Sequence, residues 1–463
     1  LCEVGTHTNL RNHDITQAII KYIAKRLIDT QKFELEQPID MKSAVNGIPG
    51  ILSSIDLSTS GGPGFAGDKA KWVSGEHPNL VPHKNVLQSI NNYITLIESG
   101  ISPRFLFKAS LKDEILSHAK NDVGRVRMFC GSSFPMIVLY RMMFGPFFVW
   151  MMRNRHEHPW KIGINATSLE WDAMINKLKR FSRFYESDFK FYDKRNGLLE
   201  VAISIMVEVM SLSGYSEKHV LFSRLLGSGC ANYDLLIEGC IAFLSTMAPS
   251  GVSGTTYFNC LVELFLEVLS LVLSYAEEHN EKLSAETLEN CMKSYDFFDN
   301  VELANYGDDN IKSMSEKIAW HTDERHFRNM SALSMELTRA DKKPGFPTSC
   351  NDIETCGFLK RKFYFNDDLG QYTAPLEEES IYKMLCFRED KGTLSELEYV
   401  IIAANEANRQ FFLAGKEKFD EFNRILKDAT PSVVYERFKL DSYDKLKEIY
   451  LTDQEKPFIV WSI

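Results

Sequence analysis

The sequence predicts an α+β fold, and three observations carry the prediction. Several stretches repeat apolar residues at helical spacing, among them Leu169 to Arg180, Leu198 to Met210 and about Tyr257 to Tyr275. An aromatic-rich stretch, Phe181 to Tyr192, has the composition of a strand. Two short extended runs, Val301 to Tyr306 and Asn310 to Met314, flank Gly307-Asp308, and a Gly with an Asp between such runs signals a hairpin turn.

Taken in order, residues 1–55 read as short helices and connectors, and 56–67 as a Gly/Ser loop with one proline. Residues 70–145 mix helix with a basic stretch. From Arg104 to Arg127 six Lys or Arg stand against three Asp or Glu. The most apolar run, Phe134 to Met152, is interrupted by Arg141 and Pro146. A membrane-spanning helix wants roughly 20 clean apolar residues, so this run is expected in the core and no transmembrane segment is expected. Residues 250–256 form a small-residue turn ahead of an apolar helix, on which Glu263 and Glu267 stand four apart and share one face. The C-terminal part reads as helical, with an acidic cluster at 377–379.

Bulk properties narrow the function. With 463 residues, 44% hydrophobic and 25% charged, the chain has an ordinary globular composition, which argues against long disorder. A net charge of −10 argues against a uniformly basic nucleic-acid surface and confines any phosphate channel to a local patch. Nine cysteines without regular spacing point to reduced thiols in an intracellular setting. Cys350 and Cys356 lie close together, but no second pair completes a zinc site. The chain starts at Leu1 without a methionine, so a fragment or a proteolytic product is expected, and no signal peptide is visible.

Three groups of residues carry chemistry. Tyr306-Gly307-Asp308-Asp309 puts adjacent carboxylates on a tight hairpin, where both cannot enter a core uncompensated. Hard divalent cations take oxygen ligands of this kind; an isolated Gly-Asp-Asp would be a solvated turn. Asp188-Phe189-Lys190-Phe191-Tyr192-Asp193 sets carboxylates on a buried strand, where one at the strand end could complete a metal site beside the hairpin. The segment from Pro249 to Asn259, PSGVSGTTYFN, has two glycines that let backbone approach a ligand, with Ser250, Thr255 and Asn259 as neutral hydrogen-bonding groups. The plain alternative is a flexible loop capping the next helix through Ser or Thr.

In this order and spacing the three groups resemble the palm motifs of viral RNA-dependent RNA polymerases, and the Pro-Ser-Gly-x-Ser-Gly-Thr-x-x-x-Asn form resembles the picornavirus type, with insect-infecting picorna-like viruses the nearest fit. The resemblance runs from residue 56 to 361. Asp56-Leu-Ser-Thr-Ser-Gly61 is similar to the loop that receives template in that family. Lys112-Asp113-Glu114, Lys120, Arg125 and Arg127 are similar to its basic nucleotide finger. Ala340-Asp341-Lys342 resembles the segment with its proton-donating lysine, and Phe358-Leu359-Lys360-Arg361 its primer-grip hairpin. Departures are Phe129-Cys130-Gly131 after the finger, Lys190 where a small polar residue is usual, and a longer stretch between Asn259 and Tyr306.

The resemblance implies a right-hand polymerase with an antiparallel palm sheet packed on helices: fingers over 1–145, palm over 146–230, a fingers insertion over 231–247, palm again over 248–367 and thumb over 368–463. It implies template-directed RNA synthesis by two-metal nucleotidyl transfer, replicating a positive-strand genome. Asp188, Asp308 and Asp309 would hold two Mg²⁺, for which Mn²⁺ can substitute, and Lys342 would protonate pyrophosphate. Lys112, Lys120, Arg125 and Arg127 would meet the triphosphate, with Arg125 and Arg127 on one side if the segment is extended. Asp193, Ser250, Gly251, Thr255 and Asn259 would bind the nucleotide and its ribose, and Ser60, Gly61, Lys360 and Arg361 the primer and template. Implied partners are RNA template and primer, nucleoside triphosphates, a small protein primer and other viral replication proteins, at membrane-associated complexes in the host cytoplasm. The rival readings are a non-catalytic RNA-binding palm scaffold and a reverse transcriptase; the polar residues placed for the ribose oppose the latter, which commonly excludes ribose with an aromatic gate.

Overall fold

The structure, a computed structural model, describes residues 13–30, 38–112, 116, 118–124, 126–190, 192, 197–245, 249–341, 343–387 and 394–452. Its centre is a four-stranded sheet formed by β3 (Arg183–Phe189), β6 (Val301–Tyr306), β7 (Asp309–Met314) and β8 (Leu337–Thr338), in the order β8-β3-β7-β6 with every pairing antiparallel. The aromatic stretch and the Gly-Asp hairpin therefore become neighbouring strands.

Side chains alternate across a strand, and each face of the sheet has its own core. Tyr185, Phe189, Leu303 and Met314 join the main apolar cluster with helices α1 (His13–Thr30), α2 (Phe134–Arg153), α4 (Leu199–Leu212) and α5 (Thr255–Glu278). Phe184, Ala304 and Ile311 face the other way. They pack with Trp171, Met174, Ile175 and Leu178 of α3 (Glu170–Leu178) and with Phe358 and Phe363.

Helices α2 and α5 are long and apolar enough to cross a membrane, yet 89% of the apolar window of each is buried within the protein. The expectation that Phe134 to Met152 is core holds. Arg141 does not interrupt the helix. It is fully buried and donates to the carbonyls of Ala44, at 2.7 Å, and Ser53, although burial draws its guanidinium down to about 10. Pro146 is likewise accommodated inside α2.

A second four-stranded sheet, β2-β1-β4-β5, contains β1 (Leu106–Leu111), β2 (Met128–Gly131), β4 (Asn232–Ile237) and β5 (Cys240–Ser245). β1 pairs antiparallel with β2 and parallel with β4, so the 232–245 hairpin, distant in sequence, closes onto the basic stretch. There Asp234 bonds Arg104 at 2.6 Å and Phe243 lies 4.5 Å beneath its guanidinium. Beyond Glu377 the described elements are helices, from Glu378–Cys386 to Tyr443–Thr452. The long stretch after Asn259 is filled by the remainder of α5, to Glu278, and by the helix Ala285–Tyr295, which packs on α1 and α5.

Candidate active site

The site forms where the central sheet runs out. Tyr306 pairs with Asp309, leaving Gly307-Asp308 as a two-residue turn, and Gly307 takes φ +72°, a conformation that favours glycine. The turn is fastened from behind by α5. The Gly307 N–H donates to Cys260 Sγ at 3.1 Å, and Asn305 Nδ2 donates to the Cys260 carbonyl at 3.0 Å. Asp308 is left exposed and Asp309 half-buried.

Strand register brings Asp188 to the same place. The last rung between β3 and β7 is Ser187 with Asn310, so Asp188 comes next, opposite the turn, with Thr338 of β8 on its other side. By alternation Glu186 and Asp188 share the face that carries Phe184, and Asp309 shares the face of Ile311. One sheet face therefore presents Glu186, Asp188 and Asp309 together.

These carboxylates are held differently. Asp309 Oδ2 accepts the Leu359 N–H at 2.9 Å, and Glu186 Oε2 accepts the Gly357 N–H at 2.5 Å. Both donors belong to the hairpin of β9 (Gly357–Phe358) and β10 (Arg361–Lys362). Burial lifts the Asp309 carboxyl to about 6; the Leu359 N–H opposes this, and the Asp308 charge adds to it. Protein crowding also raises Asp308, although its surface is open, and the nearby Arg127 guanidinium opposes that rise.

Arg127 is thus brought to the carboxylates. It directly precedes β2, is exposed, and its carbonyl accepts the Lys112 N–H at 2.7 Å, so Lys112 and Arg127 form the rung beyond Leu111 and Met128. Lys120 lies in the short helix His118–Asp122, with its side chain outside the described set. Arg125, Asp193 and Lys342 lie outside the described residues. The shared direction expected of Arg125 and Arg127 therefore falls outside the described residues.

The loop before α5 is bonded to the protein around it. Ser250 Oγ accepts the Cys130 N–H at 3.2 Å, and Ser132 Oγ donates to the Gly251 carbonyl at 2.9 Å. A Cβ on Gly251 would stand 2.0 Å from the Cys130 carbonyl oxygen, so glycine here allows close contact between two protein segments. Thr255 Oγ1 donates to the Val252 and Pro249 carbonyls, at 2.8 and 3.1 Å. It does not cap α5, whose N-cap is Gly254 in the left-handed conformation. Ser250 and Thr255 stitch the loop to β2 and to itself; Asn259 is buried on the first turns of α5, and its backbone carbonyl accepts the Tyr192 hydroxyl at 3.1 Å.

Two further assignments shift. Arg361 is drawn inward to the Ala374 carbonyl (2.7 Å) and to Gln410 Oε1 (2.8 Å) on the helix Glu396–Leu413, whereas Lys360 at the hairpin tip is exposed. Ser60 is exposed, but Gly61 is buried, with its N–H on the Gly67 carbonyl and its own carbonyl accepting from Phe134. Residues not foreseen from sequence also line the site. Glu186 is one. Lys190 and Lys343 are others: they flank Asp188 in a cavity of about 420 Å³. Their sequence signal was a lysine two residues from a candidate ligand and one next to Lys342.

Among the described residues no three acidic, His or Cys side chains are gathered tightly enough to enclose a metal by themselves. The eight described cysteines are free thiols, as expected, with Cys350 and Cys356 sulfurs 3.4 Å apart.

The comparisons with known proteins agree with this geometry. The viral RNA-dependent RNA polymerase family matches residues 16–427. The chain is 25% identical over 471 residues to a replicase polyprotein of Drosophila C virus (strain EB), covering 96% of this chain and 25% of that protein. It is 23% identical to a replicase polyprotein of cricket paralysis virus, covering 91% and 26%. It thus spans about a quarter of the length of these curated relatives. The fold resembles the Sicinivirus 3Dpol RNA-dependent RNA polymerase, with a TM-score of 0.73 at 16% identity, covering 97% of this chain and 87% of that one. These relatives bear out the picorna-like reading of the sequence. The chain belongs to the viral RNA-dependent RNA polymerases.

Proposed function

We propose that this chain copies an RNA template by adding ribonucleotides to a primer at the end of the central sheet. The observation that carries the reading is the register that sets Asp188 against the Asp308-Asp309 turn, with Arg127 beside Asp308. The central sheet and α2 to α5 read as palm, the sheet of β1, β2, β4 and β5 as fingers, and the terminal helices as thumb.

The carboxylates fit divalent metal. Mg²⁺ is commonly held by one or two carboxylates, with phosphates and water completing its octahedron, which matches a pair, Asp188 and Asp308, that does not close a cage. The bound metal, Mg²⁺ with Mn²⁺ as a substitute, would supply charge neutralisation and activation of the primer hydroxyl. Asp309, with one oxygen on Leu359, would support the pair from the side. Arg127 and Lys112 would meet the triphosphate, and Arg127 can do so bidentately. Asn259, buried at the start of α5, would read the ribose hydroxyls together with Asp193. Lys342 would donate the proton to pyrophosphate, and its neighbour Lys343 lines the cavity next to Asp188.

The partners would be RNA, nucleoside triphosphates, a small protein primer and other products of the polyprotein. With α2 and α5 committed to the core, attachment to replication membranes in the host cytoplasm would come through those partners. The test is primer extension on an RNA template with Mg²⁺, comparing ribonucleotides with deoxyribonucleotides. Ribonucleotide-selective, template-directed extension is expected. Absence of extension by the folded protein, or equal use of both sugars, would overturn the reading.

A further inference from the structure

The helical face of the central sheet carries charges that the proposed chemistry does not use. Lys312, three residues beyond Asp309 on β7, points from the sheet toward α5 and is buried. Its Nζ lies 2.5 Å from Glu267 Oε2 and 3.0 Å from His326 Nε2, and 4.8 Å over the Tyr185 ring. The opposite ring nitrogen of His326 is 2.9 Å from Ser270 Oγ. One turn back along α5, Glu263 is fully buried and neither carboxylate oxygen has a hydrogen-bond partner. Burial and the Glu267 charge raise Glu263 far above the carboxylate range, which makes it a neutral acid; burial and the Lys312 charge hold His326 neutral. Lys312 and Glu267 are thus a buried pair, with His326 Nε2 3.5 Å from the other Glu267 oxygen and the Asp323 charge also acting on Lys312.

Such a pair is weak evidence for stability, because well-packed apolar residues in its place are often as stable or more so. What it supplies is position. Residues 260, 263 and 267 climb one side of α5 behind the hairpin: Cys260 holds Gly307, Glu263 sits between, and Glu267 meets Lys312. The helix that presents Asn259 is therefore attached to the carboxylate hairpin at two heights.

We propose that Lys312 and Glu267 are positioning residues, whose ion pair fixes the height of β7 along α5 and so aligns the Asp308-Asp309 turn with Asn259. This rests on the reading of those residues as the nucleotide site. A loosened register misplaces reacting groups, and a misplacement near 1 Å costs up to about a hundredfold in rate.

The double variant K312M/E267M removes both charges and leaves neither unpaired. It is expected to melt near the parent temperature while kcat for nucleotide addition falls roughly tenfold or more, the Mg²⁺ midpoint rises, and the preference for ribonucleotides drops. A merely structural pair would leave all three unchanged in a folded variant, and that result overturns the proposal. Should the double variant not fold, E267Q, which keeps the shape and an acceptor for Lys312, carries the same three readouts with the same interpretation. D308N run in parallel separates the two readings. Normal extension by D308N overturns the site itself, whereas an inactive D308N beside a fully active K312M/E267M overturns the positioning role alone.

Discussion

At the turn end of β7, Asp308 and Asp309 lie open or half-open and are lifted by crowding. Three residues further on, Lys312 is wholly enclosed and meets a carboxylate at 2.5 Å. The same strand thus uses charge in opposite ways. At the sheet end, Asp308 and Asp309 stand where a ligand can reach them. In the interior, a charge is tolerated because its partner is built in. Open carboxylates can be removed with little damage to the fold and great damage to chemistry; for a buried charge, removing one partner alone strands the other.

The sharpest way to break this contrast is Asp308→Asn. It is expected to lower kcat about a thousandfold, the scale at which electrostatic groups at reacting centres act, while the melting temperature stays level or rises because a crowded charge is gone. Steady-state extension and a thermal melt check both. A large loss of stability would place Asp308 with the interior charges.

Arg127→Ala tests the cation that opposes the rise in Asp308. Loss of charge-assisted bonds of about 1.5–3 kcal/mol corresponds to roughly ten- to hundredfold in kcat/KM for nucleotide, with KM raised and kcat lowered, and template affinity changed much less. Single-nucleotide addition and RNA binding, measured separately, distinguish this from a template clamp, in which RNA affinity alone would fall.

Asn259→Ala should act on selection rather than rate. The ratio of ribonucleotide to deoxyribonucleotide efficiency is expected to fall about tenfold or more, since a polar site loses most by lacking its hydroxyl partner. An unchanged ratio would move sugar recognition away from α5.

The smallest effect is in pH. Asp309 titrates near 6 in the fold, against an ordinary carboxylate value near 4. The metal-free fold therefore binds this proton more tightly than the unfolded chain does. Its contribution to stability is present below about pH 4 and is lost as pH rises through 6. Melts in chelator across that window should show the loss in the parent and a shallower slope in Asp309→Asn. Equal slopes would mean that Asp309 is not raised.

Much of the site was legible because its signals are local. The Gly307-Asp308 turn, the strand through Asp188 and the helix after Ser250 each follow from spacing and turn chemistry within a few residues. What could not be read were partners set by register and packing. Ser250 and Thr255 look the same in sequence whether a hydroxyl meets a ribose or the neighbouring backbone. Arg361 looks like an RNA contact until Gln410, distant in the chain, appears beside it. Glu263 and Glu267 were rightly placed on one helix face, but that this face lies against β7, in the dry interior, depends on how α5 crosses the sheet.

By itself the sequence determined the elements that carry the site, namely the strand through Asp188, the Gly307-Asp308 hairpin and the helix after Ser250, together with three carboxylates in the spacing of a polymerase palm and the basic stretch before them, because periodicity and turn preference act over short range. The tertiary structure decided which of those residues meet. Strand register, a property of the whole sheet, put Asp188 opposite the turn. The closure of β4 onto β1 gave Arg104 its partner in Asp234, and the packing of α5 behind β7 turned two acidic residues and a lysine into a buried joint. These are contacts between segments up to 130 residues apart, and no local pattern encodes them.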